Sequence, residues 1–574
     1  MDTKTVPHLK TEPTTPAQEH KHGAILLFFC LFLLGGAIFF LDAVLPLRDL
    51  WFYNALLTLP WRAWLLLPTH LLFPQWPGVS VLAGIHRVKP VSIAIPWQEA
   101  RLLLVSIGVL FLCYLLAVYY LPRYISQRFI MLSTLVLGLL YTLVPVVTSQ
   151  DLFSYIAYAR MLLLYHLNPL VTAPIVMRHD AIFPYVYWIK QPSIYGPFWV
   201  LLCGALQRVL LALGFTHVAP MVLLLRLFSL AMHLGSVLLI WSISGSMQSA
   251  MPYSPLSQQR RVQATLAFAW NPFLLFEACV NAHVDTTMLF FLLLAIWLLL
   301  PRLRYPALST TLSAIVLALA SCIKITLIFF LPGLLLFLFL RYMRGRLHIC
   351  LALLAYGGTL LLFYIPFWDG GKILRVLNIN PGAFHTINSL YAVVIYLSAS
   401  LRGSPVLPAT ANTGSPIEQL AHLVSMVLFV LGYGVLLLGA MMKWRHEMLL
   451  PAFVRWMALV WLLYCLLGSP WFWPWYIVTF LGLYALIEAA KAERGLLTRL
   501  FNLPLAVRLL SFSMLSLYCF VSFAPAASRI ANLKDFTWSD LTGAWIWGIP
   551  LLALFFKDNK GIMKYLTKLR QIMV

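Results

Sequence analysis

The chain has 574 residues, of which 62% are hydrophobic and only 10% charged, with a mean hydropathy of +0.88. Soluble domains carry about 25% charged residues, so an ordinary soluble enzyme is excluded, and apolar stretches of about 20 residues recur as bilayer spans require. The net charge of +22, from 40 Lys and Arg against 18 Asp and Glu, is explained without nucleic acid, because basic residues gather in the cytoplasmic loops of membrane proteins.

Residues 1–23 read as a polar cytoplasmic tail, and Ala24–Phe40, with no obvious cleavage site after it, as an uncleaved span. The predicted spans are 24–43, 102–121, 130–148, 221–241, 262–278, 286–300, 309–322, 325–340, 349–367, 419–440, 450–467, 474–490, 505–523 and 541–556. This gives an all-alpha polytopic membrane protein of about 12–14 transmembrane helices. Residues 24–556 form one membrane domain, and 557–574 a basic cytoplasmic tail. The eight cysteines are scattered without ligand or pairing spacing, which supports neither a zinc site nor a disulfide framework.

Arg123 and Arg128, Arg260 and Arg261, Arg302 and Arg304, Arg341, Arg344 and Arg346, Lys443 and Arg445 all fall on one side if both termini are cytoplasmic. The long loops near 44–101, 149–220 and 368–418 then lie on the opposite face. Their apolar stretches Ala55–Phe73 and Pro197–Phe215 read as external helices at the interface.

The chemistry gathers on that non-cytoplasmic side. In SQDLFSYIAYAR, Asp151 is followed at helical spacing by Tyr155 and Tyr158. Asn168-Pro169 ends this short helix. In NPFLLFEACVNAHVD, Asn271-Pro272 kinks a span, and Glu277, His283 and Asp285 follow at the same face. Lys324, in an apolar setting, serves either as an interfacial anchor or as a phosphate ligand; Arg160 is a second candidate for that charge and Arg178 a weaker one. Tyr195 opens YGPF, Trp368 opens WDGGK, and His385 opens HTIN. WFWPWY, from Trp471 to Tyr476, is an aromatic lip suited equally to sugar stacking and to a membrane belt. A carboxylate at the lipid boundary can take a proton from a hydroxyl, and a nearby cation can stabilise a phosphate leaving group.

Together SQDLFSY, Asn168-Pro169, the YGP at Tyr195, Asn271-Pro272, NAHVD at Asn281–Asp285, Lys324 and the PWY at Pro474–Tyr476 resemble the polyprenyl-phosphomannose-dependent alpha-1,6-mannosyltransferases. These have the GT-C glycosyltransferase architecture, and the resemblance covers roughly 130–480. Gln150, His166-Leu167, Leu170 and Val284 depart from the usual pattern. The resemblance implies a polyprenyl-phosphate sugar donor and a glycolipid or glycan acceptor. It implies Asp151 as the base of an inverting transfer, with Tyr155, Arg160 and Lys324 around the phosphate. Glu277, His283 and Asp285 would shape the sugar or acceptor subsite. Asn168, Tyr195, Trp368 and His385 complete the expected substrate-binding set, and neither a cofactor nor a metal is implied. A lipid-linked substrate transporter or flippase is the main rival reading, followed by a noncatalytic assembly subunit and by transfer of another sugar.

Overall fold

The structure is a computed structural model describing residues 16–47, 50, 52–75, 97–123, 125–249, 255–300, 305–375, 386–401, 416–446, 449–490, 501–521 and 542–556. Among these residues the architecture is helical, with two isolated bridges, Tyr53–Val147 and Ile387–Trp471, and no ladder.

The chain opens with α1 (Pro16–Val44), α2 (Trp97–Tyr120) and α3 (Gln127–Thr142). It continues through α4 (Asp151–Leu164), α5 (Pro197–Ala212), α6 (Val218–Ser249) and α7 (Pro255–Ala269). Next come α8 (Pro272–Cys279), α9 (Val284–Leu298), α10 (Pro306–Ser321), α11 (Leu331–Arg341) and α12 (Gly345–Tyr364). The last third holds α13 (Leu390–Leu401), α14 (Pro416–Lys443), α15 (Leu449–Leu463), α16 (Val478–Ala489), α17 (Leu503–Ser516) and α18 (Thr542–Leu554).

Among the described residues, six segments are long and apolar enough to cross a bilayer: Ile25–Val44, Gln98–Tyr120, Val218–Gln248, Gly345–Phe367, Gln419–Lys443 and Leu449–Gly468. Each coincides with a predicted span. Most other expected spans appear as shorter apolar helices, such as Pro306–Ser321 and Ile325–Arg341. The expected pair 262–278 and 286–300 is broken at the expected kink, Asn271-Pro272, and again in the expected gap between the two. Asn271 ends α7 and caps α8, its side-chain oxygen accepting from the amides of Phe273 and Leu274. Then α8 and α9 meet at a bend of 110° across Val280–His283, where Ala282 takes the left-handed φ of +50°. The apolar stretch at Pro197–Phe215 is helical as expected, whereas Ala55–Phe73 holds two short helices, Arg62–Leu65 and Leu67–Leu72.

Two kinds of helix surface result. The windows of α12 and α14 are only 11% and 17% buried within the protein, and their outward leucines face what a membrane protein uses as solvent. By contrast α8, the 280–283 bend and the start of α9 are enclosed on all sides. Helix α9 comes close to α16 at Gly482, where an added Cβ would lie 2.6 Å from Leu289 Cδ1. The enclosed bend is what carries polar chemistry into the centre of the bundle.

Candidate active site

Asp151 is the first residue of α4, where a carboxylate complements the helix dipole. Its Oδ1 accepts from the Trp188 indole N–H at 3.2 Å, and its Oδ2 from the Tyr195 hydroxyl at 3.1 Å. Burial pushes the Asp151 carboxyl above its ordinary range, while the Trp188 and Tyr195 donors and the Lys324 charge pull it back down. Burial and the Asp151 charge hold the Tyr195 phenol well above its usual value, so Tyr195 stays a donor.

Tyr195 is placed by a close backbone approach. The amide of Gly196 donates to the Ile323 carbonyl at 2.9 Å and that of Phe198 to Cys322 at 3.1 Å. A Cβ on Gly196 would run into the Cys322 carbonyl, so only glycine admits this contact. The contact also brings the Tyr195 segment against the residue before Lys324.

The Lys324 ammonium lies 3.0 Å from Asp285 Oδ1 and 3.7 Å from the centroid of the Tyr476 ring. Asp285 is fully buried, and its Oδ2 has no hydrogen-bond partner among the described residues. Lys324 keeps 14% of its side chain accessible, and an ammonium has three donors to place. Asp285 and Lys324 come from α9 and the end of α10, 39 positions apart in the chain.

Behind them runs a polar network. Asn281 accepts from the Thr148 amide at 3.1 Å and hydroxyl at 2.9 Å, and donates to Glu277 at 3.2 Å and Tyr518 at 3.0 Å. Tyr518 in turn donates to Glu277 at 2.8 Å. His283 Nε2 stands 3.3 Å from Glu277 Oε2, and its Nδ1 3.3 Å from the Tyr155 hydroxyl. The HxD pair is therefore divided: His283 turns to Glu277 and Tyr155, Asp285 to Lys324. His283 also stacks on Trp475, with centroids 3.9 Å apart. Trp475 stacks on Trp473, Trp473 meets Trp471 edge-on, and Trp471 meets Trp188. The WFWPWY lip thus forms an aromatic arc from His283 round to the donor on Asp151.

Several expected residues stand elsewhere. Arg160 is buried in a fork with Asp180, with Nε 2.9 Å from Oδ1 and Nη2 2.9 Å from Oδ2, and Tyr165 donates to the same carboxylate at 3.1 Å. Asn168 donates to the Phe367 carbonyl at 2.7 Å and accepts from the Leu170 amide at 3.0 Å, which fixes the turn after α4. Trp368 is 55% exposed, beside the exposed Asp369–Lys372 pair. Arg178 bonds the Ile175 carbonyl at an exposed position. His385 lies outside the described residues.

Trp188, Thr148, Asn281 and Tyr518 join the site without having been singled out by the sequence reading, although Asn281 lies inside the NAHVD motif. Tyr518 reaches it from 241 positions beyond Glu277. Arg226 was also missed, although a lone arginine in the apolar run of α6 is a signal in itself.

Residues 78–340 match the family model described as alpha-(1->6)-mannopyranosyltransferase, N-terminal domain. The matched stretch contains Asp151, Tyr195, Asn281–Asp285 and Lys324, while the aromatic arc and Tyr518 come from later in the chain. No curated protein matches the chain. The family match and the motif resemblance agree on the mannosyltransferase family, and they point to a glycosyltransferase acting on a sugar donor and a glycan or lipid acceptor.

Proposed function

We propose that the protein transfers a mannosyl residue from a polyprenyl-phosphate donor to a glycolipid or glycan hydroxyl, with inversion, at the non-cytoplasmic face of the cell membrane. The observation that carries the reading is one corner of the molecule holding a partly buried carboxylate with two donors on it, a partly accessible ammonium and an aromatic arc.

In this reading the acceptor hydroxyl gives its proton to Asp151 as its oxygen bonds to the anomeric carbon. The bond from that carbon to the phosphate oxygen breaks, and the electron pair leaves with the polyprenyl phosphate. The leaving group is already anionic, so no second carboxylic acid is required. A carboxyl raised above its ordinary range is a better-matched base near neutral pH. Lys324 offers its accessible N–H groups to the phosphate while Asp285 holds it in place. The partly exposed Trp471 and Trp473 supply a platform for a sugar ring.

Helix polarity supports the choice of face. Lys324 and Arg341 lie at opposite ends of the apolar segment Ile325–Arg341. Arg128 begins α3, whose far end leads into Asp151. The basic residues assigned to the cytoplasm and the site thus sit at opposite ends of these helices.

The test is transfer of label from polyprenyl-phosphomannose to membrane lipid extracts by purified wild-type protein and by Asp151→Asn. Product with wild type alone supports the reading. Transfer only from a different polyprenyl-phosphosugar keeps the mechanism and replaces mannose. Equal turnover by the two proteins removes Asp151 as base.

A further inference from the structure

The Arg226 side chain is fully enclosed, in the first third of the apolar helix α6. Its Nε donates to the Val280 carbonyl at 2.8 Å. Nη1 donates to Thr142 at 3.0 Å and Val144 at 2.6 Å, and Nη2 to Val146 at 2.6 Å. Four of the five guanidinium N–H groups thus end on main-chain carbonyls. Three carbonyls belong to the segment that delivers Asp151 and one to the bend that delivers His283 and Asp285.

The acceptors alternate along the first segment. Carbonyls 142, 144 and 146 face Arg226. Those of Pro145 and Val147 accept from the amides of Leu56 and Tyr53. From 144 to 147 this is the two-residue period of an extended chain, held between a cation on one side and residues 53–56 on the other. Thr142 is the last residue of α3, and Val144, Val146 and Val280 lie outside helices, so none of the four carbonyls has a following helical turn to bond it. A planar fork with fixed donor directions can hold two strands of backbone at a set spacing, which a single ammonium cannot. Beyond the clamp, Thr148 meets Asn281 across the same gap.

We infer that Arg226 is a positioning residue for transfer: it sets the separation between the segment carrying Asp151 and the bend carrying His283 and Asp285. This rests on the reading of Asp151 as the base. Arg226 is not among the groups contacting Asp151, and its effect is exerted through backbone spacing. A displacement of about 1 Å at a reacting centre costs roughly 100-fold in rate.

Arg226→Lys keeps the charge and loses the fork; Arg226→Met removes both and serves as the severe variant. For folded Arg226→Lys, kcat is expected to fall by about 10- to 100-fold with the donor KM within about 2-fold of wild type. Wild-type kcat in Arg226→Lys overturns the inference, as does a loss confined to KM. Backbone hydrogen exchange supplies a readout that needs no substrate. In Arg226→Lys, amides 143–149 and 280–284 are expected to lose protection together while α10 and α15 keep theirs. Unchanged protection in both segments, or loss spread over the whole bundle, overturns the clamp. If Arg226→Met yields no folded protein, Arg226→Lys decides alone. If wild type transfers no sugar from any polyprenyl-phosphate donor, the catalytic reading fails while the exchange data still judge the clamp.

Discussion

Arg160 and Lys324 are two cations that the sequence offers as equals for binding a phosphate, and the fold uses them differently. Arg160 gives both its Nε and Nη2 to one buried carboxylate, and Tyr165 closes over the same oxygen. The pair ties α4 to residues 177–183, since Asp180 also receives the Ile182 amide at 2.9 Å. Lys324 spends one bond on Asp285, rests on the Tyr476 ring and keeps an accessible edge. A fork matched to a carboxylate serves as a structural bolt, whereas a point charge with spare donors leaves room for a ligand. The difference lies in the partner supplied by the fold, which neither cation's local sequence reveals.

That contrast can be broken or sharpened in order of expected effect. The reference is Asp151→Asn, for which kcat should fall by about 10²–10⁴-fold, the usual worth of a positioned base. Lys324→Met should cost about 10²–10³-fold in kcat, but it also strands Asp285 without its cation. Comparison with Lys324→Met/Asp285→Asn separates the two causes: persistent loss in folded double variant places Lys324 on the phosphate, and recovery of turnover would make its role purely one of neutralising Asp285.

Arg160→Met should do the reverse. Breaking a buried pair costs about 3–5 kcal/mol of stability, read as a lowered thermal midpoint, with Arg160→Met/Asp180→Asn regaining part of it. Turnover per folded molecule should stay within about threefold of wild type, a range of less than 1 kcal/mol in barrier. A selective rise in donor KM at unchanged stability would return Arg160 to the phosphate.

The smallest effect concerns pH. The Tyr195 hydroxyl favours the charged form of Asp151, so Tyr195→Phe raises the carboxyl further. The base must be deprotonated to act, so the acid limb of the kcat/KM profile should move to higher pH, with the plateau reduced only severalfold. An acid limb that stays in place would separate the limb from Asp151.

The sequence made the membrane class legible because hydropathy and span length are local properties. It also located Asp151, Glu277, His283, Asp285 and Lys324, which stand out as polar groups next to apolar helices. The partners were hidden. Trp188 resembles any interfacial tryptophan until Asp151 accepts from it across 37 positions. Arg160 could not be told from a ligand-binding arginine without Asp180. The break at Val280–His283 falls in the expected gap between 262–278 and 286–300, but its 110° bend was hidden, because VNAH contains no proline or glycine and a left-handed alanine leaves no compositional trace. Hydropathy says least where helices are short, since a broken apolar stretch and a continuous one have the same hydropathy.

The bend between α8 and α9 has a further consequence for how the chain tolerates changes of length. Removing one residue from 280–283 while α9 stays packed on α16 at Gly482 would leave Asp285 in place but shorten the link to α8 by about 3.5 Å, drawing Glu277 out of register with His283. The same edit would move Val280 out of reach of the guanidinium that bonds it. Four residues therefore act as a spacer of fixed count, from which insertions and deletions are expected to be excluded.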